Sequence, residues 1–180
     1  MKESEVAIWD RLEEHRQKAA RHPLQILILG PSKNGSIEYK TRCRLRKKLC
    51  ESGHKAAFGE DLHKQSKALR NPIDDLTLQA DSAHVIVMIY SSRGTQTERD
   101  VLLSIKSFAD KAIVFVEESL FKEASASLTG EDWKLMSKFA EVIKYSNNQL
   151  PECITETVFR YMEDLRKQVY ARTIRCGGIT

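Results

Sequence analysis

No run of apolar residues in this chain approaches the roughly 20 that cross a bilayer, so no membrane span is expected. The first 21 residues are charged and helical in pattern, without the apolar core and small-residue cleavage site of a secretory signal. A cytoplasmic location is therefore expected, with nothing cleaved off. The four cysteines, Cys43, Cys50, Cys153 and Cys176, include no C-x-x-C pair, and no histidine stands at ligand spacing. That argues against a structural zinc site or a redox motif and leaves reduced thiols. The common nucleotide-binding glycine motifs are missing too. A phosphate-binding loop ends in Gly-Lys-Ser/Thr, whereas Gly35 is followed by Ser36 and Ile37, and G-x-G-x-x-G does not occur.

What the chain does have is ordinary globular chemistry: 180 residues, 41% hydrophobic and 30% charged, enough for one core without metals or disulfides. The net charge of +4 is mild, but Lys40, Arg42, Arg44, Arg46, Lys47 and Lys48 concentrate six positive charges in nine residues. A solvated helix face is the first reading of this run and a phosphate or nucleic-acid patch the second. No aromatic stacking residues or recognised motif accompany the charge, which weakens the nucleic-acid reading.

Taken in order, residues 3–20 place Val6, Ile8, Trp9 and Leu12 near helical spacing, a helix laid on the domain or on a partner and ended by Pro23. Residues 24–30 form an almost continuous apolar run closed by Gly30, the pattern of a strand buried on both faces of a parallel sheet. A loop through Pro31 and Ser32 leads to a helix over 37–52, with Gly53 as its C-cap. A short strand over 55–58 follows, and Asn71-Pro72 opens a helix through Ala80. Apolar strands are expected at 84–90, 112–116 and 142–145, with a helix over 96–109 between the first two. The polar stretch 117–129 is long enough for a lid. Thr129 can cap a helix carrying Trp133, Met136 and Phe139. The last helix, 151–171, carries Ile154, Val158, Tyr161, Leu165 and Val169 as its stripe. This alternation predicts an α/β, doubly wound, five-stranded parallel sheet in the flavodoxin-like order 2-1-3-4-5, with helices on both faces. The expected organisation is an N-terminal helix over 1–22, a single α/β domain over 23–172 and a loose tail over 173–180.

The switch point of such a sheet lies between strands one and three, and ligands bind beyond the carboxyl ends of the strands there. It gathers the loop after Gly30 (Pro31, Ser32), the corner Glu60-Asp61, and the turn Ser91-Ser92-Arg93-Gly94-Thr95 that leads to Glu98. Glu98 precedes Val101 by three and Leu102 by four, so it projects from the inward face of its helix, one turn nearer the cleft. A structural role competes with this one. Thr95-Gln96-Thr97-Glu98 has the form of a capping box, in which threonine caps the helix and glutamate bonds back. If the carboxylate is chemical, the reaction that suits it is cleavage of an N-glycosidic bond. A carboxylate close to the anomeric carbon stabilises the oxocarbenium-like sugar or forms a covalent glycosyl intermediate, with no metal or cofactor required.

Ile26-Leu27-Ile28-Leu29-Gly30, Gly59-Glu60-Asp61-Leu62, Ala80-Asp81 before an apolar strand, and Ser91 to Glu98 in order resemble the nucleoside 2-deoxyribosyltransferase-like family. The likeness covers roughly residues 24–145. It is closest to the N-glycosidase effectors encoded with retrons and related bacterial anti-phage systems, with TIR-type NAD-cleaving domains more distant. The resemblance implies that Glu98 is the catalytic carboxylate, that Gly94 and Thr95 shape the turn against substrate, that Asp81 supports the site, and that Glu60 and Asp61 lie on its ribose side. Two departures stand out. The family's base-reading aspartate is replaced by Ser92-Arg93, and Glu-Leu-Gly by Glu98-Arg99-Asp100, which argues against free nucleoside exchange and for a phosphorylated substrate meeting Arg93. The expected function is cleavage of a nucleotide or NAD-like substrate in bacterial defence, beside a protein or ribonucleoprotein partner and as a homo-oligomer. The alternative is a non-catalytic module that binds a nucleotide signal or a protein.

Overall fold

Five apolar segments pair as strands in the computed structural model, which describes residues 3–32, 35–61, 71–91, 95–122 and 141–175. They are β1 (Gln25–Leu29), β2 (Lys55–Phe58), β3 (Val85–Tyr90), β4 (Ala112–Glu117) and β5 (Glu141–Tyr145). Every pairing is parallel and the order is β2-β1-β3-β4-β5. The register sets Ile26 beside both Ala56 and Val85, and Met88 beside Val114. All six residues of β3 are buried, as are the first five of β4, which is why neither alternates polar with apolar. The edge strands β2 and β5 are the ones that tolerate lysine, at the exposed Lys55 and Lys144.

Each face of the sheet is covered. Leu27, Leu29, Ile86, Met88, Tyr90, Val114 and Val116 share a cluster with Ala80, Leu102 and Phe108 from the helical segments and with the extended Ala83. The alternate residues Ile26, Ile28, Val87, Ile89 and Phe115 are equally buried, and helix α2 (Ile37–Glu51) buries Leu45 and Leu49. The first strand is held at its start by two imidazoles, with Leu24 N–H donating to His54 Nδ1 at 3.2 Å and Gln25 N–H to His84 Nδ1 at 2.9 Å.

Local signals set the helix ends. Ser36 Oγ accepts from the Tyr39 N–H at 3.1 Å and caps α2, whose last turn closes through Gly53 at φ +82°. Asn71 Oδ1 accepts from the Ile73 N–H, and Pro72 begins α3 (Pro72–Ser82). The helix expected over 96–109 is two helices, α4 (Gln96–Ser104) and α5 (Lys106–Ala109), broken at the extended Ile105. Ser104 Oγ bonds the Val101 carbonyl at 2.8 Å, offering that acceptor a partner other than the helical N–H and favouring the break. Part of the expected lid is helical, α6 (Ser119–Lys122). Trp133, Met136 and Phe139 lie outside the described residues.

The chain divides into two compact units. Residues 24–156 hold the sheet; residues 1–23 with 157–180 hold helix α1 (Glu3–Arg21) and most of the last helix, α7 (Glu152–Arg175). In the second unit His15 Nδ1 and the Tyr170 hydroxyl lie 3.1 Å apart, and Arg166 Nη1 donates to the Ala20 carbonyl at 2.6 Å. Ile8, Trp9 and Leu12 of α1 are exposed rather than packed. No helix among the described residues is long and apolar enough to cross a membrane.

Candidate active site

Beyond the carboxyl end of β1 the chain turns at Gly30, with φ +139°. A Cβ there would stand 2.8 Å from the Ile89 carbonyl oxygen of the neighbouring strand, closer than any real side chain sits, so glycine is required for both conformation and space. The turn is fastened from behind by Arg42 of α2, which has no solvent exposure. Its Nη1 donates to the carbonyls of Gly30 and Pro31, each at 2.8 Å, and its Nη2 to the Ile28 carbonyl at 3.1 Å. The same Nη2 meets Glu60 Oε2 at 2.8 Å. One guanidinium thus ties the end of β1 to the corner after β2, a use of the planar fork that lysine does not reproduce.

That corner is held twice. Arg46 Nη1 pairs with Asp61 Oδ2 at 2.6 Å, and the Arg42 and Arg46 guanidinium carbons stand 4.5 and 4.2 Å from the centre of the Phe58 ring. The basic run is therefore not uniformly a solvated face. Lys40, Arg44, Lys47 and Lys48 are exposed, but Arg42 is interior and Arg46 half-buried.

Glu98 lies in the first turn of α4. The Gly30 N–H donates to its carboxylate, while its Oε2 is buried with no hydrogen-bond partner. Burial pushes its pKa up to about 7; the Arg42 charge opposes the rise, the Glu60 charge adds to it, and the Gly30 N–H again opposes it. Thr95, the cap residue of α4, makes no side-chain cap bond, so the threonine half of the capping box is not formed. The glutamate is directed to the end of β1.

Glu60 and Glu98 line one cavity of about 230 Å³, together with Gly59 and the α3 residues Pro72, Ile73, Asp75, Leu76 and Gln79. Gln79 Nε2 donates to the Gly59 carbonyl at 3.3 Å, leaving Oε1 buried with no hydrogen-bond partner. A concave site with an apolar wall, a few converging polar groups and a carboxyl shifted toward neutrality has the physical marks of a functional centre.

The structure brings together Gly30, Pro31, Glu60 and Glu98, linked through Arg42, with Asp61 beside them through Arg46. Ser32 is exposed on the loop after Gly30, Thr95 is buried at the start of α4, and Ser91 follows β3 beside the Tyr145 phenol. Asp81 is not brought in. It is exposed at the opposite end of β3, where its carbonyl accepts from Lys111 Nζ at 3.0 Å, because a residue before a parallel strand lies a full strand length from the ligand end. Ser92, Arg93 and Gly94 lie outside the described residues. Sequence reasoning missed Arg42, Asp75 and Gln79. Among the described residues no cluster of three histidine, cysteine or acidic side chains is placed to hold a metal ion.

The fold and the cavity define an α/β protein with a carboxylate at the switch point of its sheet. No known family model matches the chain, and no curated protein matches it significantly.

Proposed function

We propose that this protein cleaves the N-glycosidic bond of a nucleotide or NAD-like substrate, with Glu98 as the catalytic carboxylate. The observation that carries the reading is the placement of Glu98, sunk at the carboxyl end of β1 on the Gly30 N–H, with one oxygen unpaired and a cavity before it. As the C–N bond breaks, its electron pair leaves with the base and positive charge grows on the sugar. A carboxylate in a poorly solvated site stabilises that charge strongly, or adds to the anomeric carbon until water displaces it. The shifted pKa fits this task, since burial that makes the charge costly in the resting site makes it most welcome when an oxocarbenium-like partner develops. Arg42 holds the Gly30 turn and neutralises Glu60, so that two carboxylates can share one cavity. The resemblance to retron-associated effectors adds the setting, bacterial anti-phage defence in the cytoplasm beside a protein or ribonucleoprotein partner.

The test is product analysis after purified protein meets a panel of nucleotides and NAD, with and without its cognate partners. Free base, released by wild type and not by Glu98→Gln, is the expected result. Intact substrates in every condition would leave a non-catalytic nucleotide- or partner-binding module as the better account.

A further inference from the structure

Among the described residues, the contacts that join α1 to α7 gather in the second half of α1 and just beyond it. His15 Nδ1 lies 3.1 Å from the Tyr170 hydroxyl, the His22 ring stands edge-on to the same tyrosine, Ala19 is buried, and Arg166 donates to the Ala20 carbonyl. Ile8, Trp9 and Leu12 remain 57%, 62% and 47% exposed. Leu12 follows Ile8 by four and Trp9 by three, and precedes His15 by three and Ala19 by seven, so the exposed trio continues the face that packs on α7. Two helices have too little surface to cover such a stripe by themselves. A second pair laid against them covers it as a four-helix bundle.

The same face carries opposite charges at its two ends. Glu5 stands three residues before Ile8, and Arg16 four after Leu12, with Lys18 and Arg21 adding positive charge in the last turn. Arg16 makes only a loose pair with Glu13, at 3.8 Å, and its side chain is 77% exposed. A twofold axis crossing α1 near Asp10 and Arg11 lays Ile8 of one copy over Leu12 of the other and Glu5 beside the other's Arg16, twice over by symmetry. The helix dipoles then oppose, which also favours the antiparallel arrangement. Helix α1 has 19 residues, about 28 Å of length and about 10 Å of width, so one face alone falls short of the roughly 800 Å² per partner in a stable interface. Ile174 of α7, exposed within the same compact unit, extends it.

We infer that α1, with the end of α7, is a dimerisation surface whose occupant is the same surface of a second copy of this chain, packed antiparallel about a twofold axis. These residues lie outside the unit that holds Glu98, and the inference stands whether or not that carboxylate is catalytic.

Sedimentation equilibrium of the full chain over a concentration series tests it, comparing wild type with Trp9→Ser/Leu12→Ser, with Glu5→Lys and with the exchange Glu5→Lys/Arg16→Glu. Circular dichroism checks that each variant keeps its helices, and should the apolar variant lose them, the charge variants still decide. Wild type is expected to dimerise, the apolar variant to associate about 100-fold more weakly, Glu5→Lys about tenfold more weakly, and the exchange to recover most of that loss. A wild type that is monomeric throughout, a dimer indifferent to the apolar substitutions, or an exchange no better than Glu5→Lys would overturn the inference. So would a monomeric wild type that binds a different protein through Trp9, which would assign the stripe to a foreign partner.

Discussion

Arg42 Nη2 and Glu60 Oε2 stand 2.8 Å apart, and the arginine has no solvent exposure while the glutamate retains 30%. The pair joins helix α2 to the corner after β2 and sets the charge beside Glu98. Removing one partner strands the other. Arg42→Met is expected to destabilise the protein by on the order of 3 kcal/mol, because Glu60 loses its counter-charge and three carbonyls lose their donor. The double variant Arg42→Met/Glu60→Leu should recover part of that loss in a denaturant titration. A double variant less stable than the sum of the singles would show that the pair is not the source.

Glu98→Gln separates chemistry from helix capping. Glutamine keeps the shape and removes the charge, so base release should fall about 100-fold or more if the carboxylate meets the sugar. A variant with full activity would return Glu98 to a purely structural role.

The same substitution makes a prediction about stability and pH. The native Glu98 pKa is about 7, against an ordinary value of 4.5, so the native state holds more protons than the unfolded chain between those limits. Stability contributed by this residue therefore declines as pH rises through that window and is flat above it. Glu98→Gln escapes the decline and should match wild type near pH 4 but exceed it at pH 8, by at most about 3 kcal/mol. Melting curves at the two pH values check the sign.

Turnover should follow the opposite course. If the ionised carboxylate acts, kcat/KM should rise with pH up to about 7 and level above it. Activity that falls across that range would mean the protonated form is the working one.

Gly30→Ala tests the turn. Its Cβ would press within 2.8 Å of the Ile89 carbonyl in a conformation alanine avoids. A loss on the order of 2 kcal/mol is expected, together with a weaker Glu98 site, since the Gly30 N–H is displaced. Unchanged stability and activity would mean the backbone has another way through.

The sheet was legible because β1, β3 and β4 are apolar on both faces, a pattern with few alternatives in a chain that alternates strands with helices. Glu98 was legible through its offset from Val101 and Leu102. Arg42 was not, because it stands among five other cations in a run whose charge suggests exposure. The missed signal was its period: Glu38, Thr41, Arg42, Leu45 and Leu49 are the buried residues of α2, and Arg42 precedes Leu45 by three and Leu49 by seven. Asp75 is a similar case, a buried acidic residue in a first turn, where a carboxylate also suits the helix dipole. The site role of Asp81 rests on the resemblance alone, and its place before β3 sets it at the amino end of that strand, a strand length from the cavity. Thr95 matched a capping box in spelling, and only geometry shows that its hydroxyl does not cap.

The two imidazoles at the head of β1 accept hydrogen bonds through Nδ1, which requires that nitrogen to carry no proton. The start of β1 is thereby pinned from two sides, by the residue before β2 and the residue before β3, at the end opposite the cavity, and replacing both histidines by leucine should lower the exchange protection of the Leu24 and Gln25 amides before that of Met88 or Val114.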